Sequence, residues 1–141
     1  MFRPSLLALI ILVGSIAARA QVGSIPTPAL GTDPLALGKQ ALVNGDFKAA
    51  QEFFSNYLKE HPENTEAIFY AGNSALELRQ YDDAASYYRK VIEKQPPNMW
   101  PAHKSLVIVY AVQQKWDDFD RERKLIQDAR VQGSPGLSLK H

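Results

Sequence analysis

Apolar residues recur at spacings of three and four through most of this chain, and short polar breaks cut the pattern at regular intervals. Asp33-Pro34 opens the first run. The aspartate can cap free backbone N–H groups, and proline suits a first helical position. Leu35, Leu37, Ala41 and Leu42 follow, and Asn44-Gly45 stops the run. Asp46 restarts it. Phe47, Ala50, Phe53, Phe54, Tyr57 and Leu58 form the stripe of a second helix, which His61-Pro62 ends. Asn64 caps a third helix, with Ile68, Ala71, Gly72, Ala75 and Leu76 on its inner face. A break near Arg79-Gln80 leads to a fourth, carrying Tyr81, Ala84, Tyr87, Tyr88, Val91 and Ile92, and Pro96-Pro97 closes it. Asn98 starts a third pair, with one helix over His103 to Gln114 and a last one from Trp116 to about Val131. The pattern predicts six helices and no strand, and the short connections make neighbours antiparallel.

The third and fourth helices repeat the first and second at a displacement of 34 residues. Gly38 recurs as Gly72, Phe47 as Tyr81, Ala50 as Ala84, Phe54 as Tyr88, Pro62 as Pro96 and Asn64 as Asn98. A fixed period of this length marks a helical-hairpin repeat. The glycine and alanine are small where two helices approach closely, the aromatic residues fill the space beside them, and proline punctuates the units. One hairpin cannot bury its own apolar face, so the units must stack. In the third pair the period is nearer 35. Val107 and Phe119 occupy the small positions, and these larger side chains are expected to push the two helices apart or rotate them.

These residues resemble the tetratricopeptide repeat family, whose hairpin carries an L-G pair, an aromatic, A-x-x-x-F and a closing proline. The first unit shows Leu37-Gly38, Phe47, Ala50 with Phe54, and Pro62. The second shows Ala71-Gly72, Tyr81, Ala84 with Tyr88, and Pro96. The resemblance implies an all-α fold, a short right-handed solenoid of about three antiparallel helical hairpins over residues 33–133. The units would be 31–64, 65–98 and a degenerate 99–133. It also implies a scaffold for protein–protein or protein–peptide interaction, with no catalysis and no cofactor. In such an array the first helix of each pair lines a concave groove. Its candidate residues are Leu35 and Lys39, Phe69 and Asn73, and Lys104 and Ile108, each pair four apart and so on one helix face. Two cations, an amide and three apolar groups suit an extended peptide with apolar anchors and some acidic character. In some family members a Lys/Asn/Arg clamp grips a terminal carboxylate. Asn73 fits one such place, but Tyr70 stands where a second asparagine is needed, and the clamp is not carried over.

The ends of the chain read differently. Met1 to Pro4 is a short positive start, Ser5 to Ala18 is an apolar stretch, and Ala18-Arg19-Ala20 is a cleavage signal. Residues 1–20 have the layout of a secretory signal peptide. Fourteen helical residues span about 21 Å against a hydrocarbon core of roughly 30 Å, too short for a permanent anchor. The expectation is export to the periplasm or beyond, with Gln21 first in the mature chain and no stable membrane insertion. Residues 21–32, with two prolines and two glycines, read as a linker, and 134–141 as a tail.

Loss of Arg3 and Arg19 turns a formal charge of +1 into −1, with 14 basic against 15 acidic residues. That balance, with cations and acids interspersed, argues against nucleic acid as a partner. The chain has no cysteine, which removes disulfides, thiol catalysis and thiolate metal sites. His61, His103 and His141 lack metal-ligand spacing. Asp82-Asp83 and Asp117-Asp118 read as helix-start charges, and Asp117 with Arg121 and Asp120 with Lys124 as i, i+4 pairs on a solvated face. Phe47, Phe54, Tyr81, Tyr88 and Trp116 stand at repeat-defining places and read as core. The alternative to an adaptor is a structural homo-oligomer, joined through the repeat ends.

Overall fold

The computed structural model describes residues 33–96 and 99–133. Six helices follow one another as three antiparallel hairpins: α1 (Pro34–Val43) with α2 (Phe47–Glu60), α3 (Thr65–Glu77) with α4 (Tyr81–Glu93), and α5 (Met99–Val112) with α6 (Trp116–Val131). No strand occurs among the described residues. Each hairpin packs on the next, α2 on α3 and α4 on α5.

Local chemistry sets the helix ends. The Asp33 carboxylate accepts the Leu35 N–H at 3.0 Å, Asp46 that of Ala49 at 3.1 Å, and Asn64 that of Ala67 at 2.9 Å. Each satisfies one of the free N–H groups of a first turn. The turn inside each hairpin has one design. Gly45, Arg79 and Gln114 take φ of +77°, +60° and +57°. Beyond each of them the chain folds back, and the N–H groups of Asp46, Gln80 and Lys115 donate to the carbonyls of Ala41, Ala75 and Tyr110 at 2.9, 2.8 and 2.9 Å. The final helical carbonyls are thereby paired.

The last hairpin departs from expectation at its start. Helix α5 begins at Met99 and not at His103. Pro101 does not prevent this, because it sits in the first turn, where a missing N–H breaks no helical bond. The cap expected of Asn98 lies outside the described residues. Helices α5 and α6 pack as an antiparallel pair that accommodates Val107 and Phe119 at the small places. The reason is visible one turn further on. In the first two hairpins the ring of Phe54 or Tyr88 is seated on Gly38 or Gly72, so that a Cβ there would meet it at 2.5 and 2.8 Å. In the third hairpin the residue in the ring's place is Arg123, which is exposed. With no ring to seat, Val107 needs no vacancy.

The core is two linked clusters. One joins Leu35, Ala41, Ala50, Phe53 and Phe54 of the first hairpin to Ala67 and Ala71 of the second. The other joins Ile68, Ala75, Ala84, Tyr88 and Val91 to Ala102, Leu106, Val109 and Tyr110 of the third. Leu58 and Tyr87 touch both. Phe54 and Tyr88 are fully buried, as the repeat pattern requires, and Phe47 and Tyr81 are half-buried. Trp116 is not core: it is 57% exposed, because no described element packs over the start of α6. No described helix is long and apolar enough to cross a membrane.

Candidate functional site

A chain of ring contacts runs through α2, α3 and α4. Phe54 of α2 stacks on Tyr70 of α3 with centroids 5.8 Å apart. Tyr70 meets Phe69 edge-on at 5.9 Å, and Phe69 leans against Tyr88 at 5.8 Å. Lys39 of α1 closes one end. Its ammonium lies 5.3 Å from the Tyr70 ring centroid and 2.5 Å from Glu66 Oε1. The hydrogen bond to Glu66, above all, raises the lysine's pKa. Asn73 closes the other end: its Oδ1 accepts the Tyr88 hydroxyl at 2.8 Å. Burial of Tyr88 pushes that hydroxyl up to about 12, since the phenolate loses hydration there.

The six residues proposed from the sequence divide into three kinds. Leu35 is buried in the first core cluster. Lys39, Phe69 and Asn73 are half-buried and already engaged with Glu66, the second cluster and Tyr88. Lys104 and Ile108 are exposed on α5, Ile108 at 53%, and Val112, one turn beyond, is 51% exposed. Lys104 makes no ion pair among the described residues. The accessible part of the set therefore lies on α5, where a cation is followed at intervals of four by two apolar side chains.

Other polar residues bind elements together. His103 Nδ1 lies 2.6 Å from Glu122 Oε2, joining α5 to α6, with both side chains nearly buried and the ring beside Trp100 at 5.2 Å. Nothing in their spacing marks them as partners. The signal available was the repeat itself, because they replace Ile68 and Tyr87, which touch the core one unit earlier. Asp82 does more than favour the start of α4. It accepts from Gln113 at 2.8 Å and Lys115 at 3.4 Å, contacts that hold its carboxyl below the usual range, Gln113 foremost. On α6 the ion pairs are Arg121 with Asp118 at 2.8 Å and Arg123 with Asp120 at 3.2 Å. They run i, i+3, and so replace the i, i+4 pairs expected of Asp117 with Arg121 and Asp120 with Lys124. A three-residue step also brings side chains over one another on a helix. No group of three metal-ligating side chains occurs among the described residues, and His141 lies outside them.

A profile of the tetratricopeptide repeat matches residues 35–99 and again 69–133. The two matches overlap by one hairpin and together span all three. The chain belongs to the tetratricopeptide repeat family. No protein of curated function is significantly similar to it. As a repeat of this family it suits a scaffold for protein–protein interaction, a class that is typically non-enzymatic.

Proposed function

We propose that this tetratricopeptide repeat protein is an exported scaffold that binds a protein or peptide along the face of its first helices. The supporting observation is the set of groups which that face carries. Lys39 of α1 lies over Tyr70, Tyr70 meets Phe69, and Phe69 reaches Asn73 through Tyr88 of α4, while Lys104, Ile108 and Val112 leave exposed groups on α5. Residues packed from behind are rigid, which limits the ordering cost on binding. The exposed α5 residues then supply the energy and selectivity: apolar anchors at Ile108 and Val112, a cation at Lys104. A segment with apolar side chains and an acidic residue near one end fits this set. No chemistry is assigned to the face: Lys39 serves an ion pair with Glu66, and Lys104 is the cation offered to the partner. Export rests on the apolar run and the Ala18-Arg19-Ala20 signal.

The deciding experiment uses variants of exposed residues, so that folding is not in question. Once a partner has been isolated with the purified protein, Ile108→Asp and Lys104→Glu should each weaken binding about tenfold or more, with helicity by circular dichroism unchanged. Asp83→Ala, on the start of α4, should have no effect. Binding that survives both α5 changes and is lost with Asp83→Ala removes the first-helix face from consideration.

A further inference from the structure

A recess lies at the seam of the two core clusters. It has a volume of about 260 Å³ and is bounded by Leu58, Lys59 and Pro62 at the end of α2, Ile68 of α3, and Tyr87 and Lys90 of α4. Leu58, Ile68 and Tyr87 make its floor, and all three belong to or pack on the core, so the floor is held in place. Both charged residues lining it are cations. Lys59 Nζ donates to Asn56 of its own helix at 2.9 Å, and Lys90 makes no ion pair among the described residues. Lys94, one turn beyond Lys90, is by contrast neutralised by Glu63.

The repeat does not oblige the chain to have this recess. One unit later Ile68 is replaced by His103, Tyr87 by Glu122 and Lys90 by Leu125. There the His103–Glu122 pair satisfies itself within the hairpin, and the rim cation is gone. The apolar floor with two cations is therefore particular to the junction of the first two hairpins. In a chain whose total charge is near neutral, two cations with no acid lining the same recess make a local preference for anions.

We propose that this recess is a second docking site, for an acidic segment of a partner protein that carries one apolar side chain. The apolar side chain sits on Leu58, Ile68 and Tyr87. Carboxylates on either side of it meet Lys59 and Lys90. The volume is below that of a drug-sized ligand site and suits a single side-chain anchor. The site lies mainly on the second helices α2 and α4, and its one residue from α3, Ile68, is a buried core residue outside the first-helix face, so the two sites stand independently.

The test is a backbone-amide NMR titration of the purified protein with a capped peptide of sequence Glu-Glu-Leu-Glu-Glu. Saturable shifts are expected at Ser55, Leu58, Lys59, Tyr87 and Lys90. Peptides with lysine for every glutamate, or glycine for the leucine, should produce none of them. Lys59→Glu combined with Lys90→Glu should weaken the glutamate peptide about tenfold or more, with unchanged circular dichroism. The α5 variants Lys104→Glu and Ile108→Asp should leave it unaffected. The proposal is overturned by an absence of saturable shifts up to about 5 mM peptide, the range of the weakest specific affinities. Equal binding of the glycine peptide, insensitivity to the double charge reversal, or shifts confined to α5 overturn it as well.

Discussion

Gly38 and Gly72 sit inside helices, where glycine is worse than alanine by about 1 kcal/mol. On propensity alone, alanine there should stabilise. The ring seated on each glycine reverses that sign. A Cβ on Gly38 would stand 2.5 Å from Phe54 Cε1, and Phe54 is fully buried with no room to withdraw. Overpacking of this kind costs roughly 1–3 kcal/mol. Gly38→Ala is thus expected to lower the melting temperature, and a rise would show that the ring yields freely. Tyr88 extends the same contact with a hydroxyl that Phe54 lacks. Its pKa in the folded state, about 12, is above the ordinary value of 10.0. The unfolded chain therefore loses this proton first as pH rises. Stability from Tyr88 is complete below pH 10 and falls away between 10 and about 12. Tyr88→Phe should flatten the alkaline loss of stability over that window while costing about 1 kcal/mol at neutral pH for the lost bond to Asn73. An alkaline unfolding curve identical in the variant would assign the loss to other groups.

At the scale of elements, the same turn is written with three different residues. Gly45 takes the left-handed conformation without strain, while Arg79 and Gln114 carry a Cβ there. The left-handed region costs a side-chain-bearing residue roughly 1 kcal/mol. Gln114→Gly should accordingly raise stability by something under 1 kcal/mol, and Gly45→Ala should lower it by about as much, both read by thermal melts. Helix boundaries of this sort were largely legible in the sequence. Asp33, Asp46 and Asn64 announce their caps, and Asn44-Gly45 its stop. The start of α5 was not legible, because Pro96, Pro97 and Pro101 crowd it and proline marks a helix start as readily as a helix end. The candidate face was legible only in part. Helical spacing put Leu35 and Phe69 on a shared face, but it could not show that packing buries the one and only half-covers the other. The His103–Glu122 bond was hidden for a related reason, since it is made by the hairpin and not by either helix. Removing one partner of such a nearly buried hydrogen bond leaves the other unsatisfied and costs roughly 1–3 kcal/mol. His103→Ile should be that damaging alone, and Glu122→Tyr in the same chain, which restores the second hairpin's combination, should recover most of the loss.

Of the two ends of the molecule that its repeat logic would turn toward another hairpin, the one formed by α6 is dressed for water. At the places where α4 presents Ala85, Tyr88 and Ile92 to the core, α6 has Asp120, Arg123 and Gln127. Asp120 and Arg123 satisfy one another in an exposed pair at 3.2 Å. Helix α6 could have kept the stacking residues of its repeat, and their loss marks a cap. Ile126 remains as a partly covered apolar residue between Arg123 and Gln127. This polarity weighs against a homo-oligomer built by laying one array's last hairpin on a second copy, because burying Arg123 and Asp120 would require their desolvation. The purified protein is expected to be monomeric by size-exclusion chromatography with light scattering at micromolar concentration. The converse experiment carries more information. Asp120→Ala, Arg123→Tyr and Gln127→Ile together return α6 to the stacking pattern of α4 and should drive self-association. A monomeric triple variant would show that stacking needs more of the repeat than these three places. A native protein that dimerises, and loses the dimer on Arg123→Glu, would mean that α6 is an interface whose polar residues are met by a complementary surface, and the cap reading would fall.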